Sequence, residues 1–341
     1  MFHGMLCKLF LERLVLRALD AILTKTVLLT TKAMLSRRNL RVKVMQVIYS
    51  IEHNSQLEHA EAIHVLQRNV EKAYRLLYYT TALLVRIADN IKKEAELKTT
   101  KHLPTEADLH FSTRLAHNPF IHALRNNRKV QDQLRLQMTE EDTMLVKEFF
   151  KILSVKTEYK LYCAQENSIE SERNILLLLH NLIVKTASYT QYAEDNFPEC
   201  ANELSKISFA LEDILKKMPV EPSNNLFEFS NQKIEEDFAK ELLIKTLENN
   251  ERFTTLIQPK LKNWDIDRIA RIDMVLMKMA LCELIYFDQI PVKVSINEYI
   301  DISKVYSTPK SKDFINGILD GIMHELRESK EIKKSGRGLV E

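Results

Sequence analysis

The chain has 341 residues, 45% hydrophobic and 28% charged, which is enough apolar mass to bury a core and excludes a disordered chain. A formal net charge of only +2 means that any nucleic-acid surface must be local. Only five glycines occur, none between Gly4 and Gly317, so tight hairpins and glycine-rich nucleotide loops are hard to place and an all-helical (all-α) protein is predicted. The length allows two domains or one elaborated one.

In chain order, residues 1–33 carry Leu6, Leu9, Phe10, Leu14, Leu16 and Leu19 near the spacing of an amphipathic helix. Glu12, Arg13, Arg17 and Asp20 interrupt that face, which excludes a signal-peptide core or a membrane span there. Next comes Ser36-Arg37-Arg38-x-x-Arg41. On a helical wheel the three arginines fall within about 100° of one another, beside a stripe of Leu40, Val44, Val47, Ile48 and Ile51. One flank is expected to pack while its neighbour stays basic, with Lys43 as a fourth cation and no acid nearby.

Helical periodicity recurs over 62–96, 140–155, 170–197 and 200–218, separated by loops marked by Pro104, Asn118-Pro119, Pro198 and Pro219. The run Pro219-Val-Glu-Pro-Ser-Asn-Asn225 is the clearest linker. Tyr74, Tyr78 and Tyr79 lie near Arg75 and Arg86; they form either a stack for bases or, as is commoner, a packing face. His180, in an apolar run with Leu176, Leu177, Leu179, Leu182 and Ile183, reads as a packed core histidine. Segments 172–218 and 236–279 share a rough pattern of long helix, aromatic turn and second helix, through duplication or through the common period of amphipathic helices. Cys7, Cys163, Cys200 and Cys282 are scattered, which suggests a reducing compartment, and no zinc spacing occurs, so no metal or cofactor is expected.

Residues 234–261 form another helical stretch, and three further helices are predicted at the C-terminal end. The first, over 264–287, carries Ile266, Ile269, Ile272, Leu276, Met279, Ala280 and Leu284. The second opens on Ser295-Ile-Asn-Glu298, which fits a capping box, with Ile296, Ile300 and Val305 as its apolar side and Lys304 in its last turn. The third starts at Thr308-Pro309, with Thr as N-cap and Pro at N1, and buries Phe314, Ile315, Ile318, Leu319 and Ile322. Gly317 and Gly321 flank that stripe, which suggests a close backbone approach. Lys304, Lys310 and Lys312 cluster around the start of this helix, whose free amides suit phosphate; the plain alternative is a solvated basic face.

Ala280-Leu-x-Glu283-Leu, Ile290-Pro-Val-x-Val-x-Ile-Asn297-Glu298, Ile302-x-Lys304 and Phe314-Ile-Asn-Gly-Ile-Leu-Asp320 together resemble the C-terminal half of the NusB family of transcription antitermination factors. Ser36-Arg37-Arg38-x-x-Arg41 with Val44, Gln46, Val47 and Tyr49 resembles the family's arginine-rich first helix, and 234–261 takes the place of its central helix. The firm resemblance covers 34–51 and 234–324. It suggests a long-insert form: an extension at 1–33, the first helix at 34–51, a helical insertion at 52–231, a core at 232–326 and a charged flexible tail at 327–341. Family members begin close to the arginine motif, so Met34 is the expected start and the extension is upstream translation or poorly docked chain. A genuine extra helix packed on the body is the alternative.

The resemblance implies a bundle of two helical subdomains that is cytoplasmic, not an enzyme, and binds boxA-type single-stranded RNA of ribosomal RNA transcripts. It implies pairing with NusE, a small-ribosomal-subunit protein, in the antitermination complex on RNA polymerase, with no membrane involved. Carried over by residue, Arg37, Arg38 and Arg41 are expected on phosphates or base edges, and Lys310, Ser311, Lys312, Phe314 and Asn316 form the second RNA-facing region. Phe314 has an equal claim as a core residue. Tyr306, placed in the loop before the last helix, is expected to stack on a base. Lys310 departs from the family's acidic or neutral residue, which implies stronger and less selective binding. Four to five phosphate contacts give a salt slope of about −3 to −3.5.

Two rival readings stay open. One is a helical protein-interaction scaffold that kept the fold. The other is the accessory RNA-binding domain of an RNA cytosine methyltransferase, which needs an α/β domain with a glycine-rich loop that is not seen after Leu326.

Overall fold

The computed structural model describes residues 34–53, 59–229, 231–261 and 269–334, and among these no strand occurs. The extension at 1–33, and Trp264 and Ile266 of the predicted helix, lie outside the described residues. In chain order the helices are α1 (Arg37–His53), α2 (His59–Thr99), α3 (Glu106–Leu109), α4 (Pro119–Asn126), α5 (Arg128–Leu134), α6 (Glu140–Ser154) and α7 (Thr157–Ala164). They continue with α8 (Ile169–Lys185), α9 (Ala187–Asn196), α10 (Leu204–Lys217), α11 (Gln232–Glu248), α12 (Asn250–Ile257), α13 (Arg271–Tyr286), α14 (Val292–Tyr306) and α15 (Ser311–Glu328). The chain divides into two compact units: Glu71–Ser230 in one, Leu35–Val70 with Asn231–Glu341 in the other.

In the unit holding Glu71–Ser230, helix starts follow local side-chain chemistry. The Asn118 carboxamide accepts from the Phe120 and Ile121 amides at 2.8 and 3.3 Å, with Pro119 at N1, so a loop signal in sequence becomes the N-cap of α4. Thr139 and Asp142 form a reciprocal capping box at α6. The predicted helix over 170–197 breaks at Thr186, an extended N-cap whose hydroxyl bonds the Leu182 carbonyl at 2.6 Å.

The tyrosine cluster is consumed by packing. The Tyr79 ring stacks on Tyr192 at 4.8 Å and its hydroxyl donates to Asp142 at 2.6 Å; Tyr74 and Tyr78 rest against Phe229 and Phe227. Those two phenylalanines are buried, so the stretch after the 219–225 linker is anchored. His180 is fully buried, with Nε2 3.1 Å from the Ser208 carbonyl, and burial lowers its pKa. Cys163, Cys200 and Cys282 are in no disulfide.

In the other unit, α1 packs on α11, α13 and α14, and α15 packs on α13 and α14. Four expectations are corrected here. Val292 opens α14 after Pro291, so Ser295 lies inside the helix and does not cap it. The buried face of α14 is Val292, Ser295, Tyr299, Ile302 and Ser303, whereas Val305 is exposed. The last helix starts at Ser311 rather than at Thr308-Pro309: Thr308 forms a turn whose carbonyl accepts from the Ser311 amide at 3.0 Å, and Tyr306 closes α14 instead of lying in a loop.

The glycine expectation also changes. A Cβ at Gly317 would meet nothing within 4 Å, and at Gly321 only the flexible stem of Lys260, so neither marks a close approach of backbone. Beyond α15 the chain is tied down as far as Lys334, which donates to the carbonyls of Glu283 and Phe287, both at 2.9 Å. Of the tail expected at 327–341, Arg327 and Glu328 belong to α15, and residues 335–341 lie outside the described residues. Among the described residues no helix is long and apolar enough to cross a membrane.

Candidate nucleic-acid interface

The arginine motif occupies the first turns of α1, a helix buried nearly all round from Asn39 to Ile48, Lys43 included. The expected division into a packed and a basic flank therefore gives way to a gradient along the helix. Arg37 and Arg38 sit at its exposed start, and Arg41 is only 2% exposed.

Arg41 is held by a forked ion pair, Nε and Nη2 donating to the two oxygens of Glu283 at 2.8 and 2.7 Å. Glu283 is fully buried on α13 and also accepts from the Ser295 hydroxyl at 2.6 Å and the Tyr299 hydroxyl at 3.0 Å. Burial, the largest single influence, works against the Arg41 charge, but the Glu283 hydrogen bonds together with the negative charges around it, Glu283 and Glu298 among them, outweigh it and raise its pKa. Burial and the Glu283 charge push the Tyr299 hydroxyl far up, which keeps it a neutral donor. This network joins α1, α13 and α14 through a carboxylate whose acceptor sites are satisfied, the condition under which a buried charge is tolerable.

The two outer arginines are also paired. Arg37 donates to Glu235 at 2.9 Å and lies over the Phe238 ring at 5.1 Å. Arg38 grips Glu298 with Nε and Nη2 at 2.9 and 2.7 Å and reaches Asp301 at 2.9 Å. Lys304 donates to the other oxygen of Asp301 at 2.8 Å. The Arg38 hydrogen bond holds Glu298 below the usual carboxylate range, and the Lys304 hydrogen bond does the same for Asp301. Arg38 is shifted up in turn, chiefly by Glu298.

At the start of α15 the expected residues separate into two groups. Lys310, Lys312 and Asn316 are exposed, and Tyr306 is half-buried. Ser311 is 2% exposed, its hydroxyl donating to Asp273 Oδ2 at 2.6 Å and flanked by the hydroxyls of Ser307 and Thr308 at 2.9 and 2.8 Å. Phe314 is 7% exposed and opens the buried stripe, so its ring serves the core. Ser311 and Phe314 thus point away from any ligand on this surface, as Arg41 does. Their helical phase decides this: Ser311, Phe314, Ile315 and Ile318 share one face, and Lys312 and Asn316 the other.

Sequence reasoning missed Glu283, Ser295, Tyr299 and Asp273 as the groups that position this surface. A signal was present, because Glu283 is a lone acid in the apolar run Met274–Tyr286, where an unpaired charge would be costly. A groove of about 480 Å³ beside Arg37 is lined by Phe238, Phe287 and Ile290 with Asp237, Glu241 and Asp288. With three acids to one arginine, it is not a phosphate site.

Comparison with known proteins identifies relatives of part of the chain. The NusB family model matches residues 185–324. Proteins named transcription antitermination protein NusB are 44% identical over 104 residues in Salinibacter ruber, covering 30% of this chain and 65% of the relative, and 44% identical over 105 residues in Chloroherpeton thalassium, covering 31% and 50%. The chain therefore spans between half and two thirds of the length of these two curated relatives. A protein of the same name from Listeria monocytogenes is 38% identical over 91 residues, 27% of this chain and 71% of that protein. No solved structure matches the chain. The all-helical architecture, the order of the C-terminal motifs and these matches agree, and the chain belongs to the NusB family.

Proposed function

We propose that the chain is a cytoplasmic, non-enzymatic antitermination or termination factor that binds boxA-type single-stranded RNA of ribosomal transcripts and pairs with NusE on RNA polymerase. The observation that carries this reading is the meeting of Arg38 and Lys304, far apart in sequence, on the single carboxylate Asp301, nine residues before exposed Lys310. The fold thereby gathers cations that the chain's net charge of +2 conceals.

In this reading Arg37, Arg38, Lys310 and Lys312 meet phosphates, Asn316 meets a base edge, and the partly exposed ring of Tyr306 offers a stacking face. Arg41 and Ser311 act from within, through Glu283 and Asp273, by fixing α1 and the start of α15. Phe314 supports the helix from the core. Four exposed cations give a single-strand salt slope of about −3.

The test is fluorescence anisotropy of labelled boxA-like RNA against a scrambled RNA at physiological salt, with and without NusE. Preference for the boxA-like RNA, tightened by NusE, supports the reading. Equal weak binding to both, unmoved by NusE, would sink it in favour of a protein-interaction scaffold. The double charge reversal Arg37→Glu/Arg38→Glu separates those two outcomes further, since a scaffold keeps its partners and an RNA factor loses its RNA.

A further inference from the structure

Asp301 and Glu298 stand among the cations that the proposed RNA contacts require. Arg38 presents the Nε/Nη2 edge of its guanidinium to Glu298 in a two-bond fork, the same planar edge that a phosphate would take. Asp301 is shared, one oxygen 2.9 Å from Arg38 and the other 2.8 Å from Lys304. Two cations and two carboxylates cancel, so this stretch of surface carries no net charge toward solvent.

The two acids are not equivalent. The Glu298 side chain is 20% exposed and one oxygen lies 3.5 Å from Arg41 Nη1, which ties it to the buried network. The Asp301 side chain is 37% exposed, and its partners Arg38 and Lys304 are themselves 44% and 52% exposed on long, flexible stems. An exposed ion pair of this kind costs little to break and exchanges readily for another anion.

We propose that Asp301, with Glu298 behind it, is a resident competitor for RNA phosphate that sets the affinity and selectivity of this surface; the proposal rests on the RNA-binding reading above. A polyanion that offers only charge must displace the carboxylate for a small return, so it binds weakly. An RNA that also gains contacts at Lys310, Lys312 and Tyr306 displaces it and stays. Asp301 is therefore a selectivity residue that touches the RNA-binding cations rather than the RNA.

The experiment measures affinity of the full chain for a boxA-like and a scrambled single-stranded RNA across a salt series, for wild type, Asp301→Asn, Asp301→Glu and Glu298→Gln. Asp301→Asn is expected to bind both RNAs about 3- to 10-fold tighter at low salt, as removal of one negative charge beside phosphate should give. Its salt slope steepens by about 0.7 for each cation freed to meet a phosphate. The preference for the boxA-like RNA narrows, Asp301→Glu restores wild-type behaviour, and Glu298→Gln shifts affinity in the same direction as Asp301→Asn. A merely structural ion pair would leave the slope unmoved. Wild-type binding with unchanged affinity and slope in Asp301→Asn overturns the competitor alone. Absence of RNA binding by wild type at every salt overturns the RNA reading and the competitor together.

Discussion

The start of α1 and the start of α15 carry similar densities of positive charge in sequence and use it in opposite ways. At α1 the charge is spent on carboxylates from three other helices: Glu235 on α11, Glu283 on α13 and Glu298 with Asp301 on α14. At α15 Lys310 and Lys312 stand exposed, while the polar partner Ser311 turns inward to Asp273. A basic motif on a helix that must be buried becomes a scaffold of ion pairs, and one on the outer face of an amphipathic helix stays available. The two regions therefore predict different phenotypes, the buried Arg41 pair of the first chiefly in stability and the exposed lysines of the second chiefly in binding.

The largest expected effect is at Glu283. Glu283→Ala leaves Arg41 buried without its partner and strands Ser295 and Tyr299, which should cost roughly 3–5 kcal/mol in urea denaturation. A loss below about 1 kcal/mol would mean that Arg41 is solvated after all. Phe314→Ala should cost about 3–5 kcal/mol for a truncated core aromatic; full stability combined with lost RNA binding would instead return this ring to the RNA surface.

Lys310→Glu/Lys312→Glu sharpens the other side of the contrast. Both side chains are exposed, so thermal stability should hold to within about 0.5 kcal/mol. RNA affinity should fall, and the salt slope should shrink by about 1.4 for two phosphate contacts.

The acid side of the pH profile tests the α1 pairs. Glu298 and Asp301 have folded pKa values below their ordinary ones, so their contribution to stability is present above the unfolded carboxylate range and is lost as pH falls through the folded values. Arg38→Met should flatten that acid loss, as followed by melting temperature against pH, and a profile identical to wild type would remove Arg38 as its cause. The smallest effect is at Gly317, where open space and a helical position predict that Gly317→Ala stabilises by about 0.5–1 kcal/mol. Destabilisation there would reveal a crowded helix face.

Much of the helical architecture was legible in the chain. The period of 3.6 placed α2, α6 and the buried stripe of α15, and the scarcity of glycine argued against strands. Boundaries read less well where two local rules competed. Ser295-x-x-Glu298 satisfies a capping box, yet Pro291 starts the helix a turn earlier and leaves both side chains free for Glu283 and Arg38. Thr308-Pro309 resembles a helix start, but Thr308 is used in a turn around Ser311.

The sequence by itself determined which residues could lie on one helical face, because that depends only on spacing along the chain, and it supplied the motifs that mark the family. Only the tertiary structure decided which cations remain available. The partners of Arg37, Arg38 and Arg41 lie 198 to 263 residues away, and desolvation in the packed seam makes pairing obligatory for Arg41 and optional for Arg38.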